Sequence, residues 1–196
     1  MRQKMRNLKP SPANTHAEGV AACGISGLSC WKQHGTVVVF LSMKYEIDIM
    51  PLLECAFYDK KNVFIPKIIN DRLIFFQIFE HDPNGQWNIG IFGIREPVSR
   101  KMLLPKDFPC LIITPGLAFD RNGNRLGRGK GYYDQFFAEL DTHNLPYFSI
   151  GLCMPSQIVD HVPVRPWDKK MDAIWDSSHV TDVRTRTRKS RRLFDS

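Results

Sequence analysis

No Cys-x-x-Cys pair occurs in this chain of 196 residues, and its five cysteines, Cys23, Cys30, Cys55, Cys110 and Cys153, are odd in number. That argues against a disulfide framework and against a zinc site, and a reducing cytoplasm is the simple reading. Long apolar runs are also missing, so no membrane partner is expected. The basic start, Met1 to Arg6, has no apolar block after it, which argues against a secretory signal. There is no Gly-x-Ser-x-Gly elbow and no His-Glu-x-x-His pair. The six histidines, His16, His34, His81, His143, His161 and His179, are scattered without ligand spacing. Covalent and zinc chemistry are therefore disfavoured. No internal repeat is present.

Acids are missing from one place, Arg184 to Arg192, which holds six cations. Taking those six from the net charge of +7 leaves +1, so the body is nearly neutral. A tail of this kind is most simply solvated, and it does not define a nucleic-acid-binding domain. An apolar fraction of 43% and a charged fraction of 24% suit a soluble globule. The length suits one domain, placed at residues 1–180, with 181–196 as the basic tail.

What the chain does have is Pro115 to Asp134. A strand-like run, Cys110-Leu-Ile-Ile-Thr114, leads into it, and a helix-like run from Tyr132 to Leu140 leads out. Between them lie Gly123, Gly127, Gly129 and Gly131, interleaved with Arg125, Arg128 and Lys130. Glycines let backbone approach a ligand closely. Amides at the start of a helix suit an anion such as phosphate, and arginine grips phosphate with paired hydrogen bonds. Asp134 sets a carboxylate where a Mg2+ would be expected. Standard nucleotide fingerprints are absent. Gly131 follows Lys130 where a Walker loop needs Ser or Thr, and the Gly-x-Gly-x-Gly spacing is not the dinucleotide pattern. The plain alternative is a flexible basic surface loop. Strand, loop and helix nevertheless arrive in the order phosphate sites use.

Elsewhere, Arg2 and Arg6 share one face of a short helix, or else a frayed end. Pro10-Ser-Pro12 breaks structure, and four glycines between Ala17 and Gly35 weaken any helix there. Thr36 to Leu41 reads as a buried strand. Glu46 follows its C-terminal end, where ligands sit in open α/β sheets. Ile47 to Tyr58 reads as a helix capped by Asp48. Asn62 to Pro66 reads as a short strand ended by its proline, and Asp71 to Glu80, with the run Leu73 to Phe79, as an edge or antiparallel strand. His81 to Gly85 is a turn cluster. Trp87 to Pro109 is expected as a packed loop holding Trp87, Phe92 and Pro97, with Glu96-Pro97 as a corner.

Pro146 to Cys153 and Ala173 to Trp175 read as strands, and Val162 to Asp168 as an extended segment. Asp168 and Asp172 are the acids of the late loop, either surface groups or a second carboxylate toward the metal at Asp134. Cys55, Cys110 and Cys153 read as small core residues. The alternation predicts an α/β layer fold, a central mostly parallel or mixed sheet flanked by helices. Gly, Arg, Lys and aspartates together point to phosphoryl transfer.

The central stretch resembles the 5-formyltetrahydrofolate cyclo-ligases, also called 5,10-methenyltetrahydrofolate synthetases. Pro115-Gly-Leu-Ala-Phe-Asp120 and the run Gly123 to Asp134 carry the resemblance. Phe40 to Met43 with Glu46, Phe64 to Pro66, Glu96-Pro97 and Asp168 to Asp172 support it, over roughly Lys4 to Trp175. It implies a single Rossmann-like domain, similar to the NagB and CoA-transferase fold. It also implies a monomer that uses ATP and Mg2+ to close 5-formyltetrahydrofolate to 5,10-methenyltetrahydrofolate, through a phosphorylated formyl intermediate.

By that resemblance Arg125, Arg128 and Lys130 are catalytic. ATP falls to Arg2, Gln3, Lys4, Met5, Arg6, Arg125, Arg128, Gly129, Lys130, Gly131, Tyr132 and Tyr133. The folate falls to Leu41, Glu46, Arg128, Gly129, Lys130, Gly131 and Tyr132, and the metal to Asp134 and Asp168. The chain departs from the pattern in its short N-terminal segment, in the glycines of Ala17 to Gly35 and in the basic tail. Two rival readings are a relative that binds without catalysing, and an RNA-associated protein using Arg184 to Arg192.

Overall fold

The computed structural model describes residues 1–6, 23–43, 46–79, 87–89, 95–176 and 179–183, with backbone alone at 6, 87–89 and 95. Pro10-Ser-Pro12, the His81–Gly85 cluster, Phe92 and the tail from 184 lie outside the described residues.

The elements run α1 (Arg2–Arg6), α2 (Ser29–Gln33), β1 (Thr36–Val38), α3 (Met50–Tyr58), β2 (Asn62–Ile69), β3 (Arg72–Ile78), β4 (Trp87–Ile89) and β5 (Arg95–Pro97). They continue with β6 (Cys110–Thr114), β7 (Ala118–Asp120), β8 (Arg125–Leu126), α4 (Tyr132–Thr142), β9 (Tyr147–Leu152), β10 (Ile158–Val159), β11 (Ala173–Trp175) and β12 (Val180–Asp182). The main sheet has seven strands in the order β12-β11-β9-β6-β1-β2-β3. The pairs from β11 through β2 are parallel and the two outer pairs antiparallel.

Parallel strands are covered on both faces, which is why β1 and β6 are apolar and buried throughout. Alternate residues sort to opposite layers. Val37, Leu111 and Ile113 join one cluster with Trp31, Leu52 and Leu53 of α2 and α3. Val38, Cys110 and Ile112 join the other, with Phe136, Phe137 and Leu140 of α4. Each such side chain contributes about 1.5–3 kcal/mol of burial. Cys110 and Cys153 are buried, whereas Cys55 is only half-buried. The N-cap of α3 is Ile49 rather than Asp48; Asp48, one residue outside, accepts Met50 N–H at 3.0 Å.

After β1 the chain crosses to β2 on one side, while β6 lies on the other. The helices that follow, α3 and α4, cover opposite faces. The carboxyl ends of β1 and β6 therefore flank a topological switch point, the crevice where open α/β sheets bind ligands.

Three expectations are corrected. Pro66 does not end β2, which runs on to Ile69. Its register partner Phe75 gives its carbonyl to Leu103 N–H on the opposite side, so Pro66 sits at a position that needs no donor. The stretch from Trp87 is not all loop, since β4 pairs with β5, and Glu96 and Pro97 lie in that hairpin and not at a corner. The central stretch is not one loop either. It folds as hairpin β7–β8, which β10 extends to three strands.

Candidate active site

Asp120 builds the hairpin. Its fully buried carboxylate accepts Asn122 N–H at 2.9 Å, Asn124 N–H at 3.0 Å, the Asn124 side-chain amide at 2.9 Å and Val162 N–H at 3.0 Å. Burial alone would raise its pKa, but these donors outweigh it and hold the pKa below the ordinary carboxylate value. The Asp-x-Asn-Gly-Asn run was the available signal for this turn. From β8 the chain passes Gly129 and Gly131, whose φ values of 102° and 72° are left-handed and favour glycine. Gly131 caps the N-terminus of α4 in that conformation.

Three cavities meet here. The first, about 180 Å3, is polar and is lined by Gly127, Gly129, Lys130, Arg125, Asp134 and Asp168 among others. The second, about 360 Å3, is walled by Phe40, Leu41, Met43, Pro66, Ile68 and Leu73. Glu46, Pro115, Arg128, Lys130, Tyr132 and Tyr133 line both. A third space of about 610 Å3 lies between Met1, Arg2 and Gln3 on one side and Pro163, Val164 and Arg165 on the other. It shares Arg2, Leu126, Pro163, Arg165 and Asp168 with the first.

Individual roles are more constrained than the sequence implied. Arg125 is 5% exposed and donates to Asp134 Oδ1 at 2.9 Å, so neither group is bare. Its guanidinium carbon lies 5.3 Å from the Tyr133 ring centre, and its buried Nε makes no hydrogen bond among the described residues. Arg128 pairs with Glu46 Oε1 at 2.6 Å, while Glu46 Oε2 accepts Met43 N–H at 3.0 Å. Lys130 is exposed and makes no hydrogen bond or ion pair among the described residues. Tyr132 donates to Asp71 Oδ1 at 3.2 Å, and its pKa is raised by desolvation and by that carboxylate. The Tyr133 hydroxyl is buried with no hydrogen-bond partner among the described residues, and burial pushes its pKa up.

Helix α1 reaches the polar cavity through Arg2. Met5 is buried against Leu117, Ala118, Leu126 and Val162, and so anchors the helix from inside. Arg2 Nε then donates to Gly127 carbonyl oxygen at 3.3 Å. Gln3 lines the third cavity. Lys4 is exposed and lines none of the three. The Arg6 side chain, like that of Trp87, lies outside the described residues.

Asp168 lines the first cavity and accepts Arg165 N–H through Oδ2 at 2.7 Å. Asp172 is committed elsewhere. Its Oδ2 takes Ser149 N–H and Oγ–H, both at 2.8 Å, which ties β9 to the start of β11. Among the described residues no group of three or more His, Cys, Asp or Glu could hold a metal alone. No helix among them is long and apolar enough to cross a membrane.

Phe40, Met43 and Pro66 figure in the sequence reading as family matches with no site role, and Ile68 and Leu73 have none, yet all five wall the apolar slot. Lys67 and Glu96, joined at 3.2 Å, also line that slot without having been assigned to it. Asp71 was signalled only by Asn70-Asp71, a two-residue hairpin turn with both φ positive.

Fold and site together define an α/β enzyme with a polar, cation-lined cavity set against an apolar slot at the switch point of its sheet. Residues 1–176 match the model of the 5-formyltetrahydrofolate cyclo-ligase family, and the chain belongs to that family. A Schizosaccharomyces pombe relative named "Probable 5-formyltetrahydrofolate cyclo-ligase" is 36% identical over 156 residues, 74% of this chain and 76% of its own. The Escherichia coli (strain K12) 5-formyltetrahydrofolate cyclo-ligase is 28% identical over 181 residues, 92% of this chain and 98% of its own. The NMR structure of Aquifex aeolicus 5,10-methenyltetrahydrofolate synthetase superimposes with a TM-score of 0.75 at 27% identity, covering 99% of this chain and 94% of that one.

Proposed function

We propose that this chain cyclises 5-formyltetrahydrofolate to 5,10-methenyltetrahydrofolate at the expense of ATP. The observation that carries the reading is the wall of Glu46, Arg128, Lys130, Tyr132 and Tyr133 shared by the polar and apolar cavities. A triphosphate in one and a pterin in the other meet at that wall.

The 5-formyl oxygen attacks the γ-phosphorus and the bond to ADP breaks. The amide oxygen is a poor leaving group, and phosphorylation makes it a good one. N10 then attacks the formyl carbon and gives up its proton. The carbon–oxygen bond breaks, phosphate leaves, and the five-membered amidinium ring remains.

Charge develops on the transferring oxygens, and Lys130 is the cation of the shared wall with no protein partner to surrender among the described residues. Arg125, buried against Asp134 and Tyr133, fixes the loop and presents its guanidinium to the cavity. Glu46 suits the hydrogen-bonding edge of a pterin, and Leu41 its apolar face. The slot keeps water from the activated carbon.

Mg2+ fits the residues present. Asp134 and Asp168 line one cavity, and each engages protein donors through a single oxygen, leaving the other unpartnered among the described residues. Magnesium takes one or two carboxylates and draws its remaining ligands from phosphates and water. When bound, it would neutralise charge between the phosphates.

The test is the absorbance of the methenyl chromophore, with protein, 5-formyltetrahydrofolate and Mg2+, with and without ATP. A rise that requires ATP is expected. Nucleotide binding without any rise would instead favour a relative that binds but does not catalyse.

A further inference from the structure

Trp167 is a tryptophan held in water by a rigid turn. It is 66% exposed, whereas Trp31 and Trp175 are 1% and 8% exposed. The turn is closed twice, by Asp168 N–H to Arg165 carbonyl oxygen at 3.1 Å and by Arg165 N–H to Asp168 Oδ2 at 2.7 Å. The indole therefore does not hang on a loose loop. It stands on the rim of the polar cavity, with the Arg165 guanidinium carbon 5.7 Å from its ring centre.

The third space is not lined by Trp167 itself; it adjoins the polar cavity through Arg165 and Asp168, which flank the Pro166-Trp167 pair. Its about 610 Å3 falls within the range of small-molecule sites. Leu126, Pro163 and Val164 give it an apolar wall, Gln3 adds an amide, and it runs into the polar cavity through Arg2, Arg165 and Asp168. A ligand whose phosphates sat at the glycine loop would leave its base at the rim of the polar cavity, where Trp167 stands and which the third space adjoins.

We propose that Trp167 is the stacking platform for the base of the bound nucleotide, and so the residue that separates a nucleoside triphosphate from a bare polyphosphate. This rests on the reading that the polar cavity takes a nucleotide's phosphates. An indole offers a base a large flat π-face, and a cation over the ring makes stacking stronger. Base–aromatic stacking tolerates any base. The ring's contribution is thus an affinity for nucleosides in general, with base choice left to edge contacts.

The experiment compares two ligands on the full-length chain in Mg2+ by calorimetry: a non-hydrolysable ATP analogue and inorganic tripolyphosphate. Trp167→Ala is expected to weaken the ATP analogue about tenfold and to leave tripolyphosphate unchanged. Trp167→Phe is expected to recover most of the difference. If Trp167→Ala binds both ligands as the wild type does, or loses both equally, the proposal is overturned. If the wild type binds neither, it is the nucleotide reading that fails, and the stacking role falls with it.

Discussion

Glu46 and Arg128 stand 82 residues apart in sequence and meet through a 2.6 Å ion pair in the wall between the two cavities. Each belongs to both cavities. In the reading proposed above, a triphosphate competes with Glu46 for Arg128, and a pterin competes with Arg128 for Glu46. Whichever ligand arrives first releases the group the other needs, and such linkage must be reciprocal.

Bound 5-formyltetrahydrofolate is therefore expected to tighten binding of a non-hydrolysable ATP analogue by about fivefold, the scale of one partly exposed ion pair. In Glu46→Gln, which keeps an acceptor for Met43 N–H, that coupling should shrink toward one. Calorimetric titrations with and without the folate measure it, and equal coupling in both proteins would remove the idea.

Lys130→Ala should lower kcat by roughly a hundredfold or more, the scale of losing one group that stabilises transition-state charge. Its exposed side chain has no partner among the described residues, so the unfolding free energy from urea curves should change by no more than about 0.5 kcal/mol. Parallel turnover and denaturation curves separate the two. Equal losses in both would make Lys130 structural.

Asp168→Asn should spare the turn, because an amide oxygen can still accept Arg165 N–H, but it removes a charge from the cavity. The Mg2+ concentration for half-maximal activity is expected to rise about tenfold, as when one ligand of a weak site loses its charge, with little change in stability. An unchanged Mg2+ dependence would take Asp168 out of the metal site.

Asp120→Ala strands at least three backbone donors and should cost about 3 kcal/mol at neutral pH. The folded pKa of Asp120 lies below its ordinary value of 3.8. The stability it supplies is therefore complete above that value and is lost as pH falls through the folded pKa. Urea midpoints taken from pH 6 downward should show wild type and Asp120→Ala converging below pH 3.8. A constant gap would mean that the carboxylate's charge is irrelevant.

Strands at Thr36, Cys110, Tyr147 and Ala173, the helix from Tyr132 and the glycine-and-cation loop were all legible in the chain itself. Each rests on short-range properties: β-branched apolar runs, a period of 3.6, and glycines spaced for left-handed backbone. Pro66 misled because its effect depends on which side of the strand lacks a neighbour. The β4–β5 pairing went unread because one strand is only Arg95–Pro97, too short to show a period.

The sequence by itself determined the layered α/β class, the order of the main-sheet strands from Thr36 to Ala173 and the location of the glycine-and-cation loop, because these follow from what neighbours in the chain prefer. Only the tertiary structure decided that Asp134 faces Arg125, that Asp120 binds Val162 across 42 residues, that Asp172 serves Ser149 and that Trp167 is left outside. Those outcomes turn on how whole elements pack against one another. That packing is settled when the two faces of the sheet are covered, and no local spacing records it.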